Sequence, residues 1–390
     1  MSRGLALVTH STKPRGGFIH TLSLAEALHR AGHPVHLVAL GDPAVGLFRP
    51  TDVPHTVLPG PSKAGTTLDE RVFAAIDTLT AGLAELSGRF GFDVLHAQDC
   101  IAGSAAARVR DAGADVTVVR TVHHVDDFTT QALIDCQRRA IVEPDHVLVV
   151  SEQWQQILRD DYGVSADIVP NGVDLDRFGP VSEQTRQELR ARIGAQHRFL
   201  FLTVGGVEPR KGSIHAFRAL ARLKRELDPA PVLAVVGGHS FQDYTAYRDA
   251  ALAALPGLGL TLGQDVVLLG SVDETELGGW YAAADAFAFP SVKEGFGLVV
   301  LEAMNAGLPV VASDLPVFEE YLVDGENALL PTVADEVALA GAMGRLATDA
   351  ALRARLVEGA QSVLPGFTWG ASARRHQEIY GRIGAGVPTG

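Results

Sequence analysis

Short runs of Val, Leu, Ala and Phe alternate with stretches of helical period along nearly the whole chain, and after a polar break the alternation starts over. Apolar runs too short for helices, separated by helical segments, are the pattern of parallel sheets covered by helices. The first half supplies strand candidates at Leu5–Thr9, Val35–Leu40, Val94–Ala97, Val116–Thr121 and Val147–Ser151, with helical patterns at Phe18–Arg30, Leu68–Ser87 and Phe128–Glu143 between them. The turn cluster Pro170, Asn171, Gly172, Val173 and Asp174, followed by a polar, charged run from Ser182 to Arg192, places a boundary near residue 175. Strand candidates then resume at Phe199–Val204, Val232–Val236, Val266–Leu269, Ala286–Phe289 and Val310–Ala312. A chain of 390 residues is too long for one ordinary domain and comfortable for two. The expected division is 1–175 and 176–370, an α/β fold repeated twice.

Several function classes fall away on composition. The net charge of −13 argues against a nucleic-acid partner and against a strongly basic membrane-docking face. No stretch of about 18 uninterrupted apolar residues exists, and the apolar run at the start is too short for a signal peptide. Cys100 and Cys136 lack the close spacing of a metal or redox pair, so free thiols in a cytoplasmic protein are expected. Gly257-Leu258-Gly259 precedes a strand where a dinucleotide fingerprint would open a helix, which argues against a dehydrogenase.

The most specific local feature is a pair of carboxylates, Glu294 and Glu302, eight positions apart. Between Gly295 and Ser313 the only charged side chain is Glu302, and Phe296, Val299, Val300, Ala303 and Met304 recur at helical spacing. A helix buried nearly all round is expected there, with Glu302 two turns down. An ionised carboxylate in such a place costs several kcal/mol unless it finds partners, and the vicinal hydroxyls of a ribose would serve. Glu294 precedes the glycines that open the helix, where free N–H groups and the positive dipole end gather. Plainer readings exist for both: a dipole contact for Glu294, and a distant Arg as the partner of Glu302.

Arg210 and Lys211 stand between the strand Phe199–Val204 and the helical pattern Ile214–Lys224. Two cations at a helix start form an anion site, suited to the charge that grows on a leaving diphosphate. A solvated pair at a loop tip is the alternative. Gly16 and Gly17 join the first strand to the first helix, where glycines let backbone N–H groups approach a phosphate, a plain tight turn being the alternative. His123 and His124 follow the strand Val116–Thr121, at the edge where open α/β sheets bind ligands. Asp126 and Asp127 lie near them, but adjacent side chains diverge, so a surface His pair is the commoner reading and no metal site is assigned.

Taken with Phe289, Pro290 and Ser291 upstream and with Gly307–Ser313 downstream, the string from Glu294 to Met304 resembles the donor-site motif of family 4 of the retaining glycosyltransferases. Gly16-Gly17, Thr121-x-His123, Asn171–Asp174, Lys211-Gly212 and the glutamate pair arrive in that family's order. The resemblance implies the GT-B fold: two Rossmann-like parallel-sheet domains facing a central cleft, with a final helix at 371–385 crossing back to the first domain. The tail 386–390 is expected to be flexible. It implies a hexosyltransferase-type enzyme that moves a sugar from a nucleotide-diphosphate donor to an acceptor hydroxyl. The donor is expected on the second domain and the acceptor on the first.

On the same resemblance Glu294 contacts the donor sugar and Glu302 the ribose, with Gly295, Phe296, Gly297 and Leu298 completing the donor site. Gly16 and Gly17 contact donor phosphate or acceptor. His123 stands beside the sugar and its phosphate, so that His123, Glu294, Arg210 and Lys211 form the catalytic set. Neither metal nor cofactor is implied, the nucleotide-sugar being a co-substrate. The family carries Arg where this chain has Gly206, and Arg210 is expected to supply the missing charge. Two further readings stay open: a nucleotide-sugar epimerase or phosphorylase of similar fold, and a non-catalytic nucleotide-sugar-binding partner. Donor base, sugar and acceptor are not legible, because they are set by loops that vary freely.

Overall fold

A computed structural model describes residues 4–14, 16–61, 67–238 and 244–383; Arg15 and the tail 386–390 lie outside the described residues. The chain divides into two compact units, Met1–Gly172 with Phe367–Gly390, and Val173–Gly366.

The first unit is built on β1 (Gly4–Thr9), β2 (Val35–Gly41), β3 (His55–Pro59), β4 (Phe92–Ala97), β5 (Thr117–Val122), β6 (His146–Val149) and β7 (Asp167–Ile168). All pair in parallel in the order β3-β2-β1-β4-β5-β6-β7. The second unit repeats the plan with β8 (Leu200–Val204), β9 (Val232–Val236), β10 (Val266–Gly270), β11 (Ala286–Phe289) and β12 (Val310–Ala312). These are parallel in the order β10-β9-β8-β11-β12. Each sheet therefore grows first to one side and then to the other, and switches between β1 and β4 and between β8 and β11. Beyond the carboxyl ends of those central strands lies the crevice that open α/β sheets use for ligands.

The central strands form because their residues are apolar on both faces; β9 and β11 are buried along their whole length. The edges differ. The strand β3 is half-exposed and ends in Pro59, which only an edge tolerates, and β7 has two residues. Neither was expected from the sequence. Several helices were also not expected, among them Cys100–Asp111 and Glu183–Arg192. Cys100–Asp111, rich in Ala, has no pronounced polar face and is started by Asp99, whose carboxylate accepts from the Ala102 N–H at 2.9 Å. Glu183–Arg192 forms in the charged run; Ser182 caps it at 3.1 Å and Leu189 is its buried anchor.

The last helix runs Trp369–Arg382, starting two residues before the expected 371 because Thr368 caps it, its hydroxyl accepting from the Ala371 N–H at 3.1 Å. It packs on the first unit, where His376, Ile379 and Tyr380 are buried and the Tyr380 hydroxyl lies 2.6 Å from His96 Nδ1. Among the described residues no helix is long and apolar enough to cross a membrane.

Candidate functional site

The carboxyl ends of β8 and β11, at the switch point of the second sheet, run into two loops that lock together. The loop after β8 ends at Gly212, which caps the helix Ser213–Glu226 in a left-handed conformation (φ 64°) and offers it no side-chain acceptor. A Cβ at Gly212 would fall 1.8 Å from the Pro290 carbonyl oxygen, so only glycine lets the two loops come this close. The Val292 N–H then donates to the Arg210 carbonyl at 2.8 Å. This contact brings three charged side chains together: Glu294 Oε1 meets Lys211 Nζ, accepts from Arg210 Nη1 at 3.2 Å and accepts from Ser291 Oγ at 3.1 Å. Lys211 also lies over the Phe289 ring, 4.5 Å from its centroid.

Burial works against both members of the Lys211–Glu294 pair. It pushes the ammonium of Lys211 below its ordinary value, an effect that Glu294 only partly offsets. For Glu294 burial alone would raise the carboxyl, but Lys211 and Arg210 outweigh it and hold the group below the usual carboxylate range. Arg210 is the more exposed cation, its side chain 44% accessible, and its Nε lies 3.3 Å from the buried carboxylate of Glu208. The plain dipole reading of Glu294 gives way here: its partners are side-chain cations.

The absence of an arginine at position 206 is built into the backbone. A Cβ on Gly206 would stand 2.5 Å from the Gly238 carbonyl oxygen, so any larger residue needs the ends of β8 and β9 to move apart. Glu208 Oε1 lies 3.3 Å from that point. Arg210 spans Glu208 and Glu294, and the Lys211 side chain runs past the neighbouring Gly205.

The helix that carries the second carboxylate runs Leu298–Asn305, so Phe296 precedes it and Glu302 sits about one turn inside it, not two. The cause is Gly297, which takes a left-handed conformation (φ 88°) and starts the helix there. Gly295 is half-buried, and Phe296 and Gly297 are buried, with the Phe296 carbonyl accepting from the Tyr321 hydroxyl at 2.8 Å. Leu298 and Val299 are half-buried, and the rest of the helix as far as Met304 is buried.

Glu302 has found the distant arginine that the plain reading supplied. Its Oε1 is paired with Arg177 Nη1, and its Oε2 accepts from the Tyr281 hydroxyl at 3.0 Å. Arg177 also reaches Glu274 through Nε at 2.6 Å. Burial pushes the Glu302 carboxyl above its ordinary value, and the guanidinium takes back part of that shift.

In the first unit the ends of β1 and β4 bring His10 Nδ1 within 3.0 Å of Asp99 Oδ2, and a group of rings lies beside them. His123, just beyond β5, is half-buried, and its Nε2 donates to Gln98 Oε1 at 3.1 Å at the end of β4. The ring of His20, from the helix Gly16–Arg30, meets His123 edge-on with centroids 4.4 Å apart, and Trp369 packs on the other side of His20 at 5.1 Å. Burial, with His20 and Arg120 close by, holds His123 well below its ordinary pKa. His124 points away as adjacent residues must: it is exposed and lies 3.3 Å from Asp126. Gly16 and Gly17 are the first two residues of their helix instead of a turn, and both are exposed. A Cβ at either meets no described atom within 4 Å, so the surrounding protein does not itself demand glycine there.

Sequence reasoning thus reached Arg210, Lys211 and Glu294, which the second unit gathers at one switch point, and His123, which the first unit holds beyond β5 against Gln98 at the end of β4. It missed Arg177, Tyr281, Gln98 and His20, and it named Ser291 only as part of the motif, without a partner. Ser291 alone had a local signal, three residues before Glu294 on the same loop.

Comparison with known proteins identifies the family of both units. The family described as Glycosyl transferases group 1 matches residues 185–363, and the one described as Glycosyltransferase Family 4 matches residues 14–177. The chain is similar to the D-inositol 3-phosphate glycosyltransferase of Xylanimonas cellulosilytica, at 33% identity over 74% of this chain and 72% of that protein. It is also similar to the phosphatidyl-myo-inositol mannosyltransferase of Mycolicibacterium smegmatis, at 29% identity over 96% and 92%. Among solved structures, sucrose-phosphate synthase of Thermosynechococcus elongatus superposes with a TM-score of 0.83 at 23% identity, covering 98% of this chain and 99% of that one. HepE of Anabaena, solved with UDP and glucose, gives 0.81 at 21% identity, covering 97% and 100%.

Proposed function

Because the chain belongs to glycosyltransferase family 4 and has the GT-B fold of two Rossmann-like domains, we propose that it transfers a sugar from a nucleoside diphosphate donor, with retention and without a metal ion. The observation that carries this reading is the meeting of Lys211, Arg210 and Glu294 where β8 and β11 end. A helix start whose cap, Gly212, offers no side-chain acceptor, together with two cations, lies at the place where a leaving diphosphate would gather charge, and stabilising that charge lowers the barrier to breaking the glycosidic bond. Among the described residues the three bonds to Glu294 all end on Oε1, which leaves Oε2 to accept from a sugar hydroxyl. Glu302 takes the ribose, and Gly295–Leu298 line the donor between the two carboxylates.

In the first unit His123 is the group we assign to the sugar. Being neutral, it offers a ring nitrogen for hydrogen bonding without placing a second charge against the diphosphate. Arg210 takes the part of the arginine that Gly206 displaces. The two relatives act, by their names, on D-inositol 3-phosphate and phosphatidyl-myo-inositol, so inositol-bearing acceptors are the first to try. A thermal-shift panel of UDP-, GDP- and ADP-sugars tests the donor class: one base should raise the melting temperature by several degrees, with EDTA making no difference to turnover. A flat panel with no donor hydrolysis above background would remove the reading.

A further inference from the structure

The second ion pair of the donor unit shows how its carboxylate is held, and its significance rests on the reading of Glu302 as the ribose ligand. One guanidinium serves two carboxylates. Arg177, with its side chain 14% exposed, contacts Glu274 Oε1 through Nε at 2.6 Å and Glu302 Oε1 through Nη1. Its Cζ lies over the Phe178 ring at 4.9 Å, and Phe178 in turn packs on Tyr281, with ring centroids 5.4 Å apart. Tyr281, fully buried, gives its hydroxyl to Glu302 Oε2. Asn305 Nδ2, from the carboxylate's own helix, donates to the Leu175 carbonyl at 3.0 Å and pins the segment that carries Arg177.

A pair built only for stability gains little from such an arrangement, since two carboxylates share one cation in a buried place and the desolvation cost is heavy. The sharing makes sense if further donors arrive. A carboxylate has about four acceptor positions, two on each oxygen. Arg177 occupies one on Oε1 and Tyr281 one on Oε2, so one remains on each oxygen, the arrangement that two hydroxyls on adjacent carbons can satisfy together. We propose that Arg177 is a positioning residue which, with Tyr281, fixes the Glu302 carboxylate for bidentate capture of the nucleoside's 2′,3′-diol.

The test is calorimetry of the full chain with UDP, GDP and ADP, and with the 2′,3′-dideoxy form of each. Wild type binds the ribose form of its preferred base about tenfold or more tightly than the dideoxy form, the range for hydrogen bonds to a charged group. Glu302→Ala brings this ratio close to one. Arg177→Met also collapses it, by weakening the ribose form about tenfold while leaving the dideoxy form within about twofold; Arg177→Lys, which keeps the charge without the fork, falls between. A folded Arg177→Met protein that keeps the ratio, or that loses both forms equally, overturns the proposal while the loss in Glu302→Ala leaves the ribose reading intact. If Glu302→Ala itself keeps the ratio, or if none of the three nucleotides binds wild type, the ribose reading fails and the proposal with it. Should Arg177→Met not fold, Arg177→Lys and Tyr281→Phe decide the matter, an unchanged ratio in both being the contrary result.

Discussion

The two sheets share one strand order around their switch points, yet the side chains gathered beyond them differ in kind and balance. In the second unit the ends of β8 and β11 carry ions: Lys211 and Arg210 on Glu294, and, in the same unit, Arg177 on Glu302. In the first unit the ends of β1 and β4 bring His10 Nδ1 within 3.0 Å of Asp99 Oδ2, and around them pack imidazoles that burial holds below their ordinary value, with His123 against His20 and His96 against His376 and Tyr380. Topology supplies the same crevice twice, and side chains decide what each can do. A charged crevice suits a diphosphate. One lined mainly by imidazoles suits a sugar and its acceptor hydroxyl, which it can meet with neutral ring nitrogens.

The largest effect is expected where charge meets charge. Lys211→Ala should lower turnover by about 10²–10³-fold, as for loss of a single transition-state donor, and donor affinity by much less. Arg210→Ala should act in the same sense but more weakly, because its head group is partly in water; no change in either quantity would show that another residue compensates for Gly206.

The second prediction sets the two units against each other in acid. His376 is pushed down to about 4 and His20 to about 3, both by burial, from an ordinary value of 6.5. Between these values and 6.5 the unfolded chain binds protons that the folded unit does not, so stability falls as pH drops below 6.5, by up to about 1.4 kcal/mol per pH unit for each group. Glu294, held low, keeps its contribution until the pH falls through its depressed value, and Glu302, held high, is relieved by protonation. Hydrogen exchange corrected for intrinsic rates should therefore show the helix Trp369–Arg382 opening at pH 5 while β8 and β11 stay protected. Uniform loss of protection would contradict the contrast.

Two smaller effects sharpen it. Glu302→Ala should weaken nucleotide binding by about 1 to 3 kcal/mol. Unchanged calorimetry in a folded protein would make the carboxylate a fold element only. His123→Ala should cost about tenfold in turnover, the scale of one neutral hydrogen bond, with nucleotide affinity unchanged. His124→Ala should stay near wild type; the reverse pattern would move the assignment by one residue.

The legibility of the fold in the sequence has the same physical basis. All five strands of the second unit were legible because each is a largely apolar run, the half-buried edge strand β10 included, whereas β3 escaped because His55, Thr56 and Pro59 interrupt its apolar residues and β7 because it has only two residues. The Cys100–Asp111 helix escaped for the opposite reason: its Ala-rich face lacks the contrast that periodicity detects. Lys211 and Glu294 were legible through local charge in apolar surroundings. Arg177 was not, since it lies 125 positions from Glu302 and comes just after a turn cluster that read as a boundary. Long-range ion pairs leave no mark on local pattern; a buried carboxylate announces only that a partner exists.

The central claim is that the ion-paired crevice of the second unit grips a nucleoside diphosphate, and calorimetric titration of wild type and Lys211→Ala with UDP, GDP and ADP tests it most directly. The account predicts that one of the three binds wild type and that the Lys211→Ala protein, folded by circular dichroism, binds the same nucleotide measurably more weakly. Binding of none by wild type, or equal affinity in the two proteins, would contradict it.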